Sequence, residues 1–140
     1  MSVIRPLRLL LVITGLLSLV ACGEVKYQSP EQQARCQQLQ LDEQRETRAF
    51  VKKSAVNTDY TRKFGQNVLK NASRLVHAKD EEVDKLTLKI HATAISECAK
   101  KHKKKACKKA SKEMRELYKR SQDRKLQFKV LECPGVLKST

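Results

Sequence analysis

The chain has 140 residues, a one-domain length, and thirty Lys+Arg against fifteen Asp+Glu give it a net charge of +15. Four Gly and three Pro among abundant Lys, Gln, Glu, Leu and Ala argue against an all-β fold and for helix. Aromatic residues are only 4% and Trp is absent, so the core is thin and gains from covalent staples.

The first segment reads MSVIRPLR, then LLLVITGLLSLVA, then Cys22. Arg5 and Arg8 form a basic start, and Leu9 to Ala21 form an uncharged apolar run. That run is shorter than the roughly 20 apolar residues of a membrane span, and it has the layout of an export signal. Leu19-Val20-Ala21-Cys22 resembles the lipobox of bacterial lipoproteins. The resemblance covers about the first 23 residues. It implies that residues 1–21 are a cleaved signal peptide and that the Cys22 thiol carries a diacylglyceryl group, with the new amine acylated as well. Several acyl chains hold almost irreversibly, since each buried methylene adds about 0.8 kcal/mol. In that family Asp after the cysteine favours the inner membrane; Gly23 here implies outer-membrane delivery, facing the periplasm. Loss of Arg5 and Arg8 takes the net charge from +15 to +13.

Residues 22–29 read as the lipidated end and a short tether, residues 30–135 as a basic helical domain, and residues 136–140 as a tail. Ser29-Pro30-Glu31-Gln32 has the residues of a helix start: a capping Ser, a Pro at the first position and a Gln three residues after the cap. The first helix is expected over about 30–55, with Cys36, Leu39, Ala49 and Phe50 on its apolar side and a gap in the stripe at Glu43 and Glu46. Asn57-Thr58-Asp59 reads as a break. A second helix over about 60–77 would place Tyr60, Phe64, Val68, Ala72, Leu75 and Val76 on one face, weakened by Gly65. Asp80 would cap a third helix carrying Val83, Leu86, Ile90, Ala94 and Cys98, with Glu81 and Glu82 at its positive end. The alternation Leu86, Leu88, Ile90, Ala92, Ala94 is also strand-like; with no partner strand or hairpin turn beside it, helix is preferred. The last helix is expected to begin within 100–109 and run to about 132, with Cys107, Ala110, Met114, Leu117 and Tyr118 facing inward. Leu126-Phe128-Val130 could also be a short extended piece. Cys133-Pro134-Gly135 ends the helix. The expected fold is an all-α, disulfide-stapled, up-down bundle of three to four helices.

Cys36, Cys98, Cys107 and Cys133 remain after Cys22 is assigned to lipid. In an oxidising compartment they form two bridges, with three pairings open. In an up-down bundle Cys36 begins the first helix and Cys133 follows the last, while Cys98 ends the third and Cys107 begins the fourth. The pairs Cys36–Cys133 and Cys98–Cys107 then close opposite ends. Nine residues of unbroken helix would hold Cys98 and Cys107 about 13 Å apart, beyond the roughly 7 Å a disulfide allows. This pairing therefore requires a turn within 99–106. A metal site of Cys98 and Cys107 with His91 or His102 matches no compact zinc spacing, so neither metal nor cofactor is expected.

No phosphate loop, GxSxG or HExxH is present, and none of His77, His91 and His102 has a Ser or Cys nucleophile beside it in the sequence. The chain reads as a non-enzyme, with His91 as a packed or surface residue. Lys100, Lys101, Lys103, Lys104, Lys105, Lys108 and Lys109 put seven cations in ten residues. One reading is a solvated helix end that complements a C-terminal dipole. The other is a docking face for an anionic partner: lipid headgroups, lipopolysaccharide, peptidoglycan or an acidic protein surface. Nucleic acid ranks low, because no aromatic stacking platform interleaves the lysines. Three roles follow. The first is an accessory or assembly factor of a secretion, pilus or conjugation complex, with a loose architectural similarity to secretin pilotins. The second is a binder of anionic envelope polymers or lipids. The third is an inhibitor or immunity role, including exclusion on a mobile element.

Overall fold

A computed structural model describes residues 29–138. The expected signal peptide and Cys22 lie outside the described residues. These form five helices and no strand: α1 (Pro30–Lys52), α2 (Ala55–Lys70), α3 (Ala72–His77), α4 (Asp80–Cys98) and α5 (Lys104–Val130). The protein is the expected disulfide-stapled helical bundle.

The start of α1 follows from its residues. Ser29 is extended and its hydroxyl accepts from the Gln32 amide, with Pro30 at the first helical position. The helix ends earlier than its apolar pattern suggests. Ser54, not Asn57-Thr58-Asp59, makes the break: it is extended and its hydroxyl accepts from the Asn57 amide, starting α2. Asn57 and Asp59 are therefore helical and buried. Asn57 Nδ2 donates to the Phe50 carbonyl at 3.0 Å, and the Thr58 hydroxyl donates to the Val51 carbonyl at 2.8 Å. These side chains satisfy the end of α1 that the break leaves open.

The helix expected over 60–77 is divided at Asn71, whose φ of −107° and ψ of 8° leave the helical region and whose Nδ2 donates to the Asn67 carbonyl. Beyond it Ala72 and Val76 are exposed rather than buried. The start of α4 also differs by one residue: Lys79 is the cap, and the Glu82 carboxylate accepts from its amide. Asp80 is already inside the helix, where its charge still suits the positive end. The strand-like alternation over 86–94 resolves as helix. Leu86, Ile90, Ala94 and Cys98 are buried at helical spacing and Leu88 is exposed. In α5 Leu126-Phe128-Val130 is helical too, with only Phe128 buried. Tyr118, expected inside, is exposed.

Along its length α1 runs antiparallel to α5. Gln32 donates to the Leu131 carbonyl, Glu43 meets Arg124, Glu46 meets Arg120, and Lys53 meets Glu113. The gap in the apolar stripe of α1 is filled by charge. Glu43 is 1% exposed and accepts from Ser121 Oγ at 2.5 Å and Arg124 Nε at 2.7 Å. Arg124 also reaches Glu46 at 2.8 Å, and this contact, opposed by partial burial, holds the Glu46 carboxyl below its usual range. The main apolar cluster is Tyr60, Ala94, Cys98, Cys107 and Ala110 with Val56, Phe64, Ile95 and Met114 around it, where α2, α4 and α5 meet. A smaller cluster of Cys36, Phe128 and Leu137 lies at the other end of α5.

Both expected bridges are present. Cys36–Cys133 has a Cα separation of 5.7 Å and Cys98–Cys107 one of 6.0 Å. The turn that the second pair requires occupies residues 99–103, between α4 and α5. Each bridge closes one end of the bundle. Glu132 has a φ of 52° and Gly135 one of 79°, so the chain after α5 reverses through two left-handed residues and brings Leu137 under cover.

Candidate functional site

The turn 99–103 and the first turns of α5 carry all seven lysines of the cluster, and all seven are exposed. Two devices place them. The Cys98–Cys107 bridge pins both flanks of the turn. On α2, the buried Asp59 carboxylate meets His102 Nε2 at 3.2 Å and also pairs with Arg62. The Arg62 hydrogen bond holds the Asp59 carboxyl below its usual range, against partial burial. Asp59 thus ties the basic turn to the core helix. Asn67 Nδ2 makes a further tie to Glu97 Oε2 at 2.9 Å, next to Cys98.

None of the seven lysines is in salt-bridge contact among the described residues. Their helical setting matters. Lys100 and Lys101 follow the C-terminus of α4, where a cation is favourable. Lys103 caps α5, and Lys104 and Lys105 open it. That is the positive end of a dipole, where a cation costs about 0.3–1 kcal/mol. The reading of this cluster as a dipole-complementing helix end therefore holds for two of its lysines and is reversed for three.

The folded chain also enlarges the patch. Lys108, Lys112, Arg115 and Lys119 follow at spacings of four, three and four along α5 and are all exposed, forming one outward strip. Counting a local run of lysines missed the last three. Extending the helical register from Lys108 would have found them. Glu116 is the exposed carboxylate near this strip.

His91 lies in the core rather than in a site. Its Nδ1 is 2.6 Å from the Tyr60 hydroxyl and 3.4 Å from Ser111 Oγ, and its ring centroid lies 4.5 Å from that of Phe64. Ser111 has no solvent exposure and Tyr60 none, so a substrate reaches neither without opening the core. Burial, with nearby Arg115, pushes the His91 pKa from 6.5 to about 4. A histidine in the unfolded chain titrates near 6.5. Between these values the unfolded chain gains a proton that the native one does not, so stability falls as pH falls. Lowering the pH from about 7 to about 5 should cost about 2 kcal/mol, and His91→Gln should flatten this arm in chemical denaturation curves.

His77 is exposed in α3. Among the described residues no group of three His, Cys, Asp or Glu could hold a metal, and no helix is long and apolar enough to cross a membrane. Two recesses among the described residues are open surface grooves. One is lined by Arg74, His77, Glu82 and Lys85; another by Phe50, Lys53, Glu113 and Leu117. No known protein family, curated protein or solved structure matches this chain.

Proposed function

We propose that this protein is a non-enzymatic lipoprotein of the bacterial cell envelope. Cys22 carries the lipid, and the basic end of the bundle docks an acidic face of an envelope complex as an accessory or assembly factor. The observation that carries the reading is the place of the seven lysines. They are exposed, without a salt bridge among the described residues, and gathered at the end of α5 opposite the one where the chain enters α1. Lys104 and Val130, the two ends of α5, lie about 40 Å apart at 1.5 Å per residue. Three of the lysines sit where a helix disfavours cations. A patch that makes no salt bridge among the described residues, and that a helix dipole disfavours at three of its positions, is suited to a partner.

The Ser111–His91–Tyr60 group is buried in the core, whereas the lysine cluster is exposed, and this supports reading the basic end as the working surface. A second reading uses the same face on a polyanion, such as lipopolysaccharide phosphates or peptidoglycan carboxylates. It is favoured by the strip Lys108, Lys112, Arg115 and Lys119, which extends the charge along the helix.

The test combines stability and binding. Lys104→Glu with Lys105→Glu should raise the stability of the domain by about 1 kcal/mol, because acids replace bases at a helix N-terminus. The same variant should lose an envelope protein that photo-crosslinks to the wild-type chain in cells. If cross-linking survives replacement of all seven lysines by Gln, the reading fails. Retention on isolated lipopolysaccharide or peptidoglycan selects the second partner class. That retention should collapse as the Debye length shrinks from about 30 Å to about 8 Å between 0.01 and 0.15 M salt.

A further inference from the structure

The opposite end of α5 has a different surface. Leu126 and Val130 stand one turn apart, 62% and 73% exposed, on the side of the helix away from buried Arg124 and Phe128. Val136, just after the left-handed Gly135, is 77% exposed. Lys125, Lys129 and Val136 line one recess against the C-terminal tail; Leu41, Val136 and Lys138 line the next. Single exposed apolar residues are ordinary. Here several share one end of a small bundle whose core is otherwise thin, and the bundle itself uses none of them.

This is also the end where the chain leaves the described residues. Ser29 caps α1, Gln32 is bonded to the Leu131 carbonyl, and Cys36 is joined to Cys133. Only seven residues, 23–29, separate Cys22 from the first helix. They span at most about 25 Å, so a lipid on Cys22 keeps this end against the bilayer.

We propose that this end is a membrane seat: Leu126, Val130 and Val136 enter the boundary between headgroups and acyl chains, while Lys125, Lys129 and Lys138 lie at the phosphates. Long lysine side chains suit that level, with their stems in the apolar layer and their ammonium groups among the headgroups. Exposed Asp123 and Glu132 lie on the same stretch and offset much of its positive charge. The contact is therefore mainly apolar, and salt weakens it little, unlike the lysine end. Seated in this way, the bundle stands off the membrane and turns its basic end outward. The inference rests on the lipoprotein reading of Cys22.

The chain has no Trp, so one introduced ring reports one position. Leu126→Trp, Val136→Trp and Lys105→Trp are placed singly in the lipidated chain purified from membranes. Each replaces an exposed residue, which leaves the core intact. The proteins are reconstituted in phosphatidylethanolamine–phosphatidylglycerol vesicles containing brominated lipid. The seat predicts blue-shifted emission and several-fold quenching for the first two, and solvent-like, unquenched emission for Lys105→Trp. If the chain floats with the vesicles but all three report water, or all three are quenched alike, the seat is wrong and the anchor stands. If the chain does not float with vesicles at all, the anchor reading fails and the seat fails with it.

Discussion

Replacing Cys36 and Cys133 together by alanine should lower the stability of the domain by about 4–5 kcal/mol. The bridge joins residues 97 positions apart, and a loop of that length removes most of the chain entropy available to a single cross-link. The matching Cys98→Ala, Cys107→Ala pair closes only nine positions and should cost about 2–3 kcal/mol by the same entropy relation. A thin core makes the first loss severe, since small domains hold about 5–15 kcal/mol in all. The first pair also holds the tether end together: Cys36 packs with Phe128 and Leu137. Urea titration of both variants, followed by circular dichroism, should give the larger midpoint shift for Cys36/Cys133. Equal shifts would mean that loop length is not what makes these bridges stabilising.

The second large effect is expected at Glu43 and Arg124. Arg124→Met should cost about 3–5 kcal/mol, because it takes the cation away from the enclosed Glu43 carboxylate, whereas Glu43→Gln should cost less, because Arg124 keeps its pair with Glu46. Glu43 is almost fully enclosed, and Arg124 bridges it to Glu46. The double change Glu43→Leu with Arg124→Met should recover most of the loss, since well-packed apolar residues replace a buried pair at little cost. A double-mutant cycle in urea built from Glu43→Leu, Arg124→Met and the two together measures the coupling. If the single changes prove additive, the ion pair does not join α1 to α5 as its geometry indicates. Both effects tie α1 to the C-terminal part of the chain, one through a covalent link to Cys133 just after α5 and the other through charge on α5 itself.

The lysine variants are different in kind, because there stability and binding should move in opposite directions. A residue kept for packing becomes less stable when changed. Lys104 and Lys105 should behave the other way, since the positive end of α5 disfavours them.

Much of the fold was legible in the chain. The start of α1 came from Ser29, Pro30 and Gln32, whose roles are local. The helical character of α4 came from the spacing of Leu86, Ile90, Ala94 and Cys98, and both disulfide pairings came from where four cysteines fall along successive helices. The boundaries were less legible. Ser54 and Asn57 are both capping residue types, and Asn57 became a buried tie to the Phe50 carbonyl. Choosing between them requires knowing which has room to face the core.

The sequence by itself determined the helical class, the cysteine staples and the presence of a dense cationic run, because helix periodicity, capping and charge are properties of neighbouring residues. Only the tertiary structure decided what fills the gap in α1, what surrounds His91, and which dipole end the lysines meet. Glu43 finds Ser121 and Arg124 across 78 and 81 positions, and Tyr60 finds His91 across 31. Such pairings depend on how whole helices cross and on which buried polar groups must satisfy one another. No local pattern encodes those distances.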